Sequence, residues 1–284
     1  MENIIKKAEI LIEALPYIKA FHKKITVIKY GGSILGDDKI RLGVLEDIVF
    51  LSYMGIRPVL VHGGGPNISE KMKTSGKKTD FVEGMRVTDA ETLKIVEEEL
   101  VTLNERIVRE LKKLGGKVKS LNGKDNNLIQ VEKKIAEVDL GFVGDVAGVE
   151  TSLILKELNR DAICVICPMG KGKDGAVYNI NADEVASNVA AALCAEKLVL
   201  LTNVKGIMRN PDESDSFMAT LTEQEIEALI KDKVIEAGMI PKVKACVLAL
   251  EKGVKKTHII DARIPHALLL EIFTDEGIGT EIIK

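Results

Sequence analysis

The sequence predicts an α/β fold: a mostly parallel sheet with helices on both sides, preceded by a kinked N-terminal helix. Three observations predict it. Short, almost continuously apolar runs rich in β-branched residues recur along the chain, as strands covered on both faces do. Segments with helical apolar spacing separate them. Their βαβα alternation brings successive strands parallel.

The elements follow in order. Ile4, Ala8, Leu11, Leu15 and Ile18 form one helical stripe, which Pro16 is expected to kink. Such a stripe packs on its own domain or docks, as an arm, on another subunit. "ITVIKY" at 25–30 reads as the first strand, "KIRLGVLEDIVFLSYMG" at 39–55 as a helix, and "RPVLVHG" at 57–63 as the second strand. The long helical pattern "DAETLKIVEEELVTLNERIVRELKKLGG" covers 89–116. From about Lys117 to Val149, short runs with Gly, Asn, Asp and Lys predict small hairpins rather than another βα unit. "AICVICP", "KLVLLTN" and "KKTHIID" are further strands, with "DEVASNVAAALCAE" and "VKACVLALEKG" as helices.

Composition excludes several classes. The chain has 284 residues, 46% hydrophobic and 29% charged, with a formal net charge of -3, which describes a soluble globular protein rather than a disordered one. Basic residues occur as scattered pairs such as Lys23-Lys24 and Lys255-Lys256, and 4% of residues are aromatic, so no nucleic-acid surface is expected. No apolar run reaches the ~18 to 20 residues of a membrane span. Lys6, Lys7, Glu9 and Glu13 break up any signal-peptide core, so a cytoplasmic protein is expected. Cys164 and Cys167 form a C-x-x-C, but three residues apart on a strand they point to opposite faces. The four cysteines therefore read as buried thiols in a reducing compartment, and no metal site is expected.

In a parallel sheet the strand-to-loop junctions gather along one edge, where ligands bind. Gly31-Gly32, Gly63-Gly64-Gly65 and Gly238 mark such junctions. Glycines make tight turns on their own account, but three junctions on one edge suit an anion approached by backbone N–H groups. Lys242 follows Pro241 in the first turn of a helix, where the dipole disfavours a cation unless an anion is near. Lys29 lies on an apolar strand, where lysine is seldom buried without a partner. Asp183 stands where a helix begins; it can serve simply as a first-turn acid, or hold both ammonium groups against phosphate oxygens. Gly170-x-Gly172-x-x-Gly175 matches a dinucleotide fingerprint, yet "AVYNIN" follows where a helix should open, so it reads as a hairpin. No G-x-x-x-x-G-K-[ST] loop is present.

Together "VIKYGGS", "LVHGGGP", "EGMRVTDAET", "YNINAD", "AEKLVLLTNVKGI", "AGMIPKV" and "PHALLLEIFTDEGIGTEI" resemble the amino-acid kinase family, from about Ile4 onward. The resemblance is strongest to members acting on N-acetyl-L-glutamate in arginine synthesis. It implies a three-layer αβα sandwich, with residues 1–22 as an oligomerisation arm and 23–284 as the kinase domain, split near 178/179 into acceptor and ATP halves. It implies transfer of a phosphoryl group from ATP, with Mg2+ on the nucleotide phosphates, to the side-chain carboxylate of N-acetyl-L-glutamate. Lys29 and Lys242 would bind the transferring group and Asp183 orient them. Gly64 and Gly65 would contact the acceptor, Arg86 its α-carboxylate and Asn179 its acetamido group. Gly31, Gly32, Asn203 and Gly206 would border ATP.

Arginine-inhibited members have a swapped N-terminal helix and assemble as hexamers, trimers of dimers. "IEALPYIKAF" is similar, and the matching positions for bound L-arginine are Tyr17, Lys197, His258, Glu271 and Gly277. Without the resemblance, His258 reads as a strand histidine with a satisfied hydrogen bond and Glu271 as a solvated helix end. Some members bind a PII-type signalling protein, a partner these residues do not decide. Ser33, Asn203, Ala237 and the helix after Arg86 depart from the usual family pattern without removing a residue assigned to the reaction. The residues leave open a kinase of N-acetyl-aminoadipate or aspartate, and a catalytically silent arginine sensor, which would be expected to lack Lys29, Asp183 or Lys242.

Overall fold

A computed structural model describes residues 2–82, 84–210, 213, 216–274 and 277–284. Within these the elements run α1 (Glu2–Glu13), α2 (Leu15–Phe21), β1 (Ile25–Tyr30), α3 (Gly32–Leu35), α4 (Asp38–Tyr53), β2 (Arg57–His62), α5 (Gly65–Thr74), β3 (Phe81–Val82), β4 (Met85–Arg86) and α6 (Ala90–Lys113). Next come β5 (Val118–Asn122), β6 (Ile129–Lys133), β7 (Gly144–Val149), α7 (Ser152–Leu158), β8 (Ile163–Cys167), β9 (Met169–Gly172), β10 (Val177–Asn179), α8 (Ala182–Ala192) and β11 (Lys197–Thr202). The C-terminal part adds β12 (Thr220–Thr222), α9 (Glu223–Lys231), α10 (Ile240–Glu251), β13 (Lys256–Asp261), α11 (Ala267–Phe273) and β14 (Thr280–Ile283).

One eight-stranded sheet, in the order β12-β14-β13-β11-β1-β2-β8-β5, organises the molecule. The six strands from β13 to β5 are parallel, whereas β14 pairs antiparallel with β13. Strands alternate between the two helical layers because successive side chains point to opposite faces. Val27, Val59, Val61, Cys164, Ile166, Leu198 and Leu200 enter one core cluster with the buried faces of α8 and α10. Ile28, Leu60, Ile163, Val165, Val199 and Leu201 enter the other, with α4, α6 and α11. The result is the three-layer αβα sandwich expected. Lys29 shares its parity with Val27 and so faces the α8 and α10 layer.

The segment read as hairpins divides. Its first part is β5, an edge strand of the main sheet, parallel to β8. Its polar, half-exposed "VKSLN" hides that pairing, because an edge strand has one covered side. The rest does form hairpins: β6 pairs with β7 and β9 with β10 in a four-stranded sheet. The glycine fingerprint at 170–175 falls on β9 and the turn to β10, a hairpin as expected. β12 and β14, three and four residues long, are too short for the sequence pattern to mark.

The N-terminal stripe breaks as expected at Ala14, with Pro16 in the first turn of α2. Lys197 lies over the Phe21 ring at 5.1 Å from its centroid, which ties α2 to the sheet. Ile5, Ile10, Leu11 and Ile12 of α1 are exposed. The side chains of Ile4, Ser33 and Ala237 lie outside the described residues. Cys164 and Cys167 are buried in separate clusters on opposite faces, and Cys246 is buried as well. Cys194 is the exception to the buried thiols expected: it follows α8 in a left-handed turn, φ 48°, and is exposed. Among the described residues no helix is long and apolar enough to cross a membrane.

Candidate active site

Three chain crossings meet at the C-terminal edge of the sheet. β1 runs into Gly31 and Gly32, and β2 into Gly63, Gly64 and Gly65. The two turns pack backbone to backbone: a Cβ on Gly32 would lie 3.0 Å from Gly65 N and 3.1 Å from Gly64 N. A Cβ on Gly64 would meet Leu100 at 2.6 Å, while Gly65 faces open space. Glycine at 32 and 64 is therefore a packing requirement as well as an opening. The third approach comes from α8, whose N-cap Asn181 accepts the Asp183 N–H at 2.8 Å.

Asp183 is 4% exposed and lies between two lysines. Its Oδ1 is 2.7 Å from Lys29 Nζ, and its Oδ2 accepts from Lys242 Nζ at 3.0 Å. Burial alone would raise the Asp183 carboxyl, but the charges of Lys29 and Lys242 outweigh it and hold the group below its ordinary value. Lys29 is 6% exposed. Burial depresses its ammonium, against the pull of Asp183, and nearby Lys242 depresses it further. One carboxylate thus restrains two cations that also repel each other.

In front of this triad lies a cavity of about 320 Å³, bordered by Lys29, Gly32, Gly64, Gly65, Arg86, Asn179 and Lys242. Arg86, on β4, is 6% exposed, and burial lowers its guanidinium from the ordinary value. Its Nη2 donates to Gly65 O at 3.0 Å and Ser69 Oγ at 2.8 Å, and its Nη1 contacts Met72 Sδ at 3.2 Å. The Phe81 ring lies 4.7 Å away. Among the described residues none of these partners is acidic, so a buried cation faces the cavity without a counter-charge, an arrangement suited to a carboxylate. Asn179 Nδ2 donates to Thr88 Oγ1 at 3.3 Å.

Residues not singled out from the sequence complete the wall. Glu184 lines it, half-buried; burial raises its carboxyl, and it accepts from Val146 N at 2.6 Å. Ser69 and Thr88 hold Arg86 and Asn179. Thr88 belongs to the "EGMRVTDAET" motif, whereas nothing in the sequence marks Ser69. His62 is fully buried at the end of β2, bonded to Gly63 O and Asn104, and burial pushes it down to about 4, leaving it neutral.

Other expected site residues lie elsewhere. Asn203 is exposed and Gly206 is buried in the turn after β11; neither borders the cavity. Gly206 has φ 137°, and a Cβ there would meet Thr280 Oγ1 at 2.6 Å, so packing alone requires the glycine. A second cluster forms away from the cavity. His258 Nδ1 is 2.6 Å from Glu271 Oε1, both are buried, and a Cβ on Gly277 would lie 3.4 Å from Glu271 Oε2. Glu271 is thus no solvated helix end. Burial would raise its carboxyl, but His258, the Ile278 N–H and Lys197 hold it below the ordinary value. Tyr17 is on α2, which runs beside α11, the helix carrying Glu271.

Comparison with known proteins agrees with this architecture. Residues 24–261 match the amino acid kinase family. The chain is 48% identical to the acetylglutamate kinase of Petrotoga mobilis, over 99% of this chain and 94% of that one. It also superposes on two crystal structures of N-acetylglutamate synthase from Neisseria gonorrhoeae. One, complexed with coenzyme A and N-acetyl-glutamate, has a TM-score of 0.87 at 29% identity, covering 98% of this chain. The other, complexed with coenzyme A and L-arginine, has a TM-score of 0.85 at 26% identity, covering 98% of this chain. This chain spans 63% and 65% of those longer chains.

Proposed function

From the chain's membership of the amino acid kinase family, we propose that it transfers the γ-phosphoryl group of ATP to the side-chain carboxylate of N-acetyl-L-glutamate, forming the acyl phosphate of the arginine route. The observation that carries this reading is one cavity bordered by both the lysine pair on Asp183 and an acid-free buried arginine. The nucleophile is a carboxylate with an ordinary pKa near ~4.3, ionised at neutral pH, so the reaction requires no general base. Catalysis reduces to alignment and charge. Arg86 binds the α-carboxylate, Asn179 the acetamido group, and Gly64 and Gly65 the acceptor chain.

Lys29 and Lys242 meet the phosphoryl oxygens, and Asp183 keeps their ammonium groups a fixed distance apart. ATP runs along Gly31 and Gly32 toward Asn203 and Gly206. Both oxygens of Asp183 are committed to lysines, which fits Mg2+ carried on the nucleotide phosphates rather than in a carboxylate cage. Bound there, Mg2+ neutralises phosphate charge.

The same reading extends to control. The buried His258–Glu271 pair, with Lys197, Gly277 and Tyr17 of α2, forms an L-arginine site; Glu271 supplies the carboxylate for a guanidinium or ammonium group. The exposed apolar residues of α1 support a swapped arm joining dimers into a hexamer. Inhibition follows if arginine binds better to a state whose active site is less productive.

Trapping the product with hydroxylamine tests the reaction. Hydroxamate should form from N-acetyl-L-glutamate in preference to glutamate, aspartate and N-acetyl-aminoadipate, and arginine should suppress it. No hydroxamate from any of the four would overturn the kinase reading.

A further inference from the structure

Thr88 is fully buried between β4 and α6, and its hydroxyl joins the backbone carbonyl of Arg86 to the side-chain amide of Asn179. Thr88 Oγ1 donates to Arg86 O at 2.7 Å and accepts from Asn179 Nδ2 at 3.3 Å, from a residue 91 positions away. The proton count fixes both directions. A hydroxyl has one proton, and a carbonyl oxygen can only accept, so that proton belongs to Arg86 O. Asn179 must then present its NH2 to Thr88, which leaves Oδ1 as its free end. Asn179 Oδ1 makes no hydrogen bond within the described residues, and Asn179 borders the cavity.

The backbone around Thr88 is built to keep this geometry. Thr88 N donates to Leu140 O at 2.9 Å, Phe142 N to Thr88 O at 2.7 Å, and Asn179 N to Phe142 O at 2.9 Å. The segment 140–142 thereby links Thr88 to Asn179 a second time. Gly141 makes the approach possible: its φ is 73°, and a Cβ there would lie 2.2 Å from Thr88 O. A valine at 88 would fill the same space and keep every one of these backbone bonds. What only threonine or serine supplies is the hydroxyl.

We propose that Thr88 is a positioning residue whose hydroxyl, anchored on the Arg86 backbone carbonyl, holds the Asn179 amide and turns Asn179 Oδ1 into the cavity, as the acceptor for the N–H at the substrate's α-carbon. The inference rests on the acceptor reading above. It specifies the direction of the bond: the substrate's amide donates and the protein accepts. Loss of the hydroxyl frees the Asn179 amide to rotate, and the N–H then meets NH2 as often as oxygen.

The test is steady-state kinetics of five proteins: wild type, Thr88→Val, Thr88→Ser, Asn179→Ala and the Thr88→Val/Asn179→Ala double variant that closes the cycle. In Thr88→Val the KM for N-acetyl-L-glutamate should rise roughly tenfold, the size of one lost hydrogen bond, with the KM for ATP within about twofold of wild type. Thr88→Ser should restore it. Because Thr88 acts through Asn179, the double variant should be no worse than Asn179→Ala alone. Wild type should also discriminate against the analogue with an ester oxygen in place of the amide N–H, and Thr88→Val should lose most of that discrimination.

An unchanged acceptor KM in Thr88→Val, or independent effects in the double variant, would overturn the coupling while leaving the kinase reading intact. If valine prevents folding, Thr88→Ser and the ester analogue decide: a wild type indifferent to the ester overturns the proposal. A wild type that makes no hydroxamate from N-acetyl-L-glutamate would overturn the acceptor reading and the coupling together.

Discussion

Asp183→Asn removes the negative charge that faces both Lys29 and Lys242. Lys29 Nζ, 2.7 Å from Asp183 Oδ1, would remain on a strand walled by Val27, Val61 and Leu200, with Lys242 as its nearest charged neighbour. Breaking a buried pair in this way costs about 3–5 kcal/mol if the remaining charge stays. Lys29 has an escape, since burial already depresses its ammonium and the loss of Asp183 depresses it further. The folded variant can release the proton, which replaces part of the charge penalty by the cost of deprotonation.

The sign of the pH dependence follows. A lysine depressed in the folded state binds fewer protons there than in the unfolded chain, so stability rises with pH from the depressed value up to the unfolded one, near ~10.4. Each pH unit in that window adds about 1.4 kcal/mol. The window widens toward lower pH in the variant, so its deficit against wild type should shrink as pH rises through that added range. Urea unfolding of both proteins at several pH values, read by circular dichroism, measures this. A variant as stable as wild type at neutral pH, or a deficit independent of pH, would refute the argument that Asp183 holds a buried Lys29 in its charged form. The Asp183 carboxyl, held low in the folded state, contributes on the acid side: its stabilisation is present above the unfolded pKa and lost as pH falls through the lower folded one.

Lys242→Ala should lower kcat by about 100- to 1000-fold with a much smaller change in acceptor KM, because the ammonium acts mainly on transition-state charge; near-normal turnover would defeat that role. Gly32→Ala places a Cβ 2.9 Å from Pro66 Cδ and against two backbone nitrogens. It should destabilise by about 1–3 kcal/mol and lower kcat/KM at least about tenfold, checked by thermal unfolding and initial rates. Tyr17→Ala should raise the arginine concentration for half-inhibition by about tenfold, the scale of a lost contact to a charged ligand; unchanged inhibition would count against the regulatory site. Burial pushes Cys164, Cys167 and Cys246 each up to about 12, while Cys194 is exposed. A thiol reagent should therefore label one cysteine in the native protein and all four after denaturation.

The sequence by itself determined the layers of this protein. The almost continuous apolar runs at 25–30, 57–62, 163–167 and 197–202 mark strands covered on both faces, and the strand's pleat then assigns alternate residues to the two helical layers. The sequence also sufficed to reject the glycine fingerprint at 170–175, since an extended segment follows it. The ordered motifs pointed to the family and named Lys29, Asp183 and Lys242, but only the tertiary structure put one carboxylate oxygen against each lysine. Arg86 became informative only when its neighbours proved to be Ser69, Gly65 and Met72, with no acid among them. The Thr88–Asn179 bond, the burial of Glu271 against His258, and the place of β5 in the main sheet were likewise decided by folding. Each depends on a partner more than ten residues away in the chain, and local periodicity carries a residue's own orientation but not the identity of what packs against it.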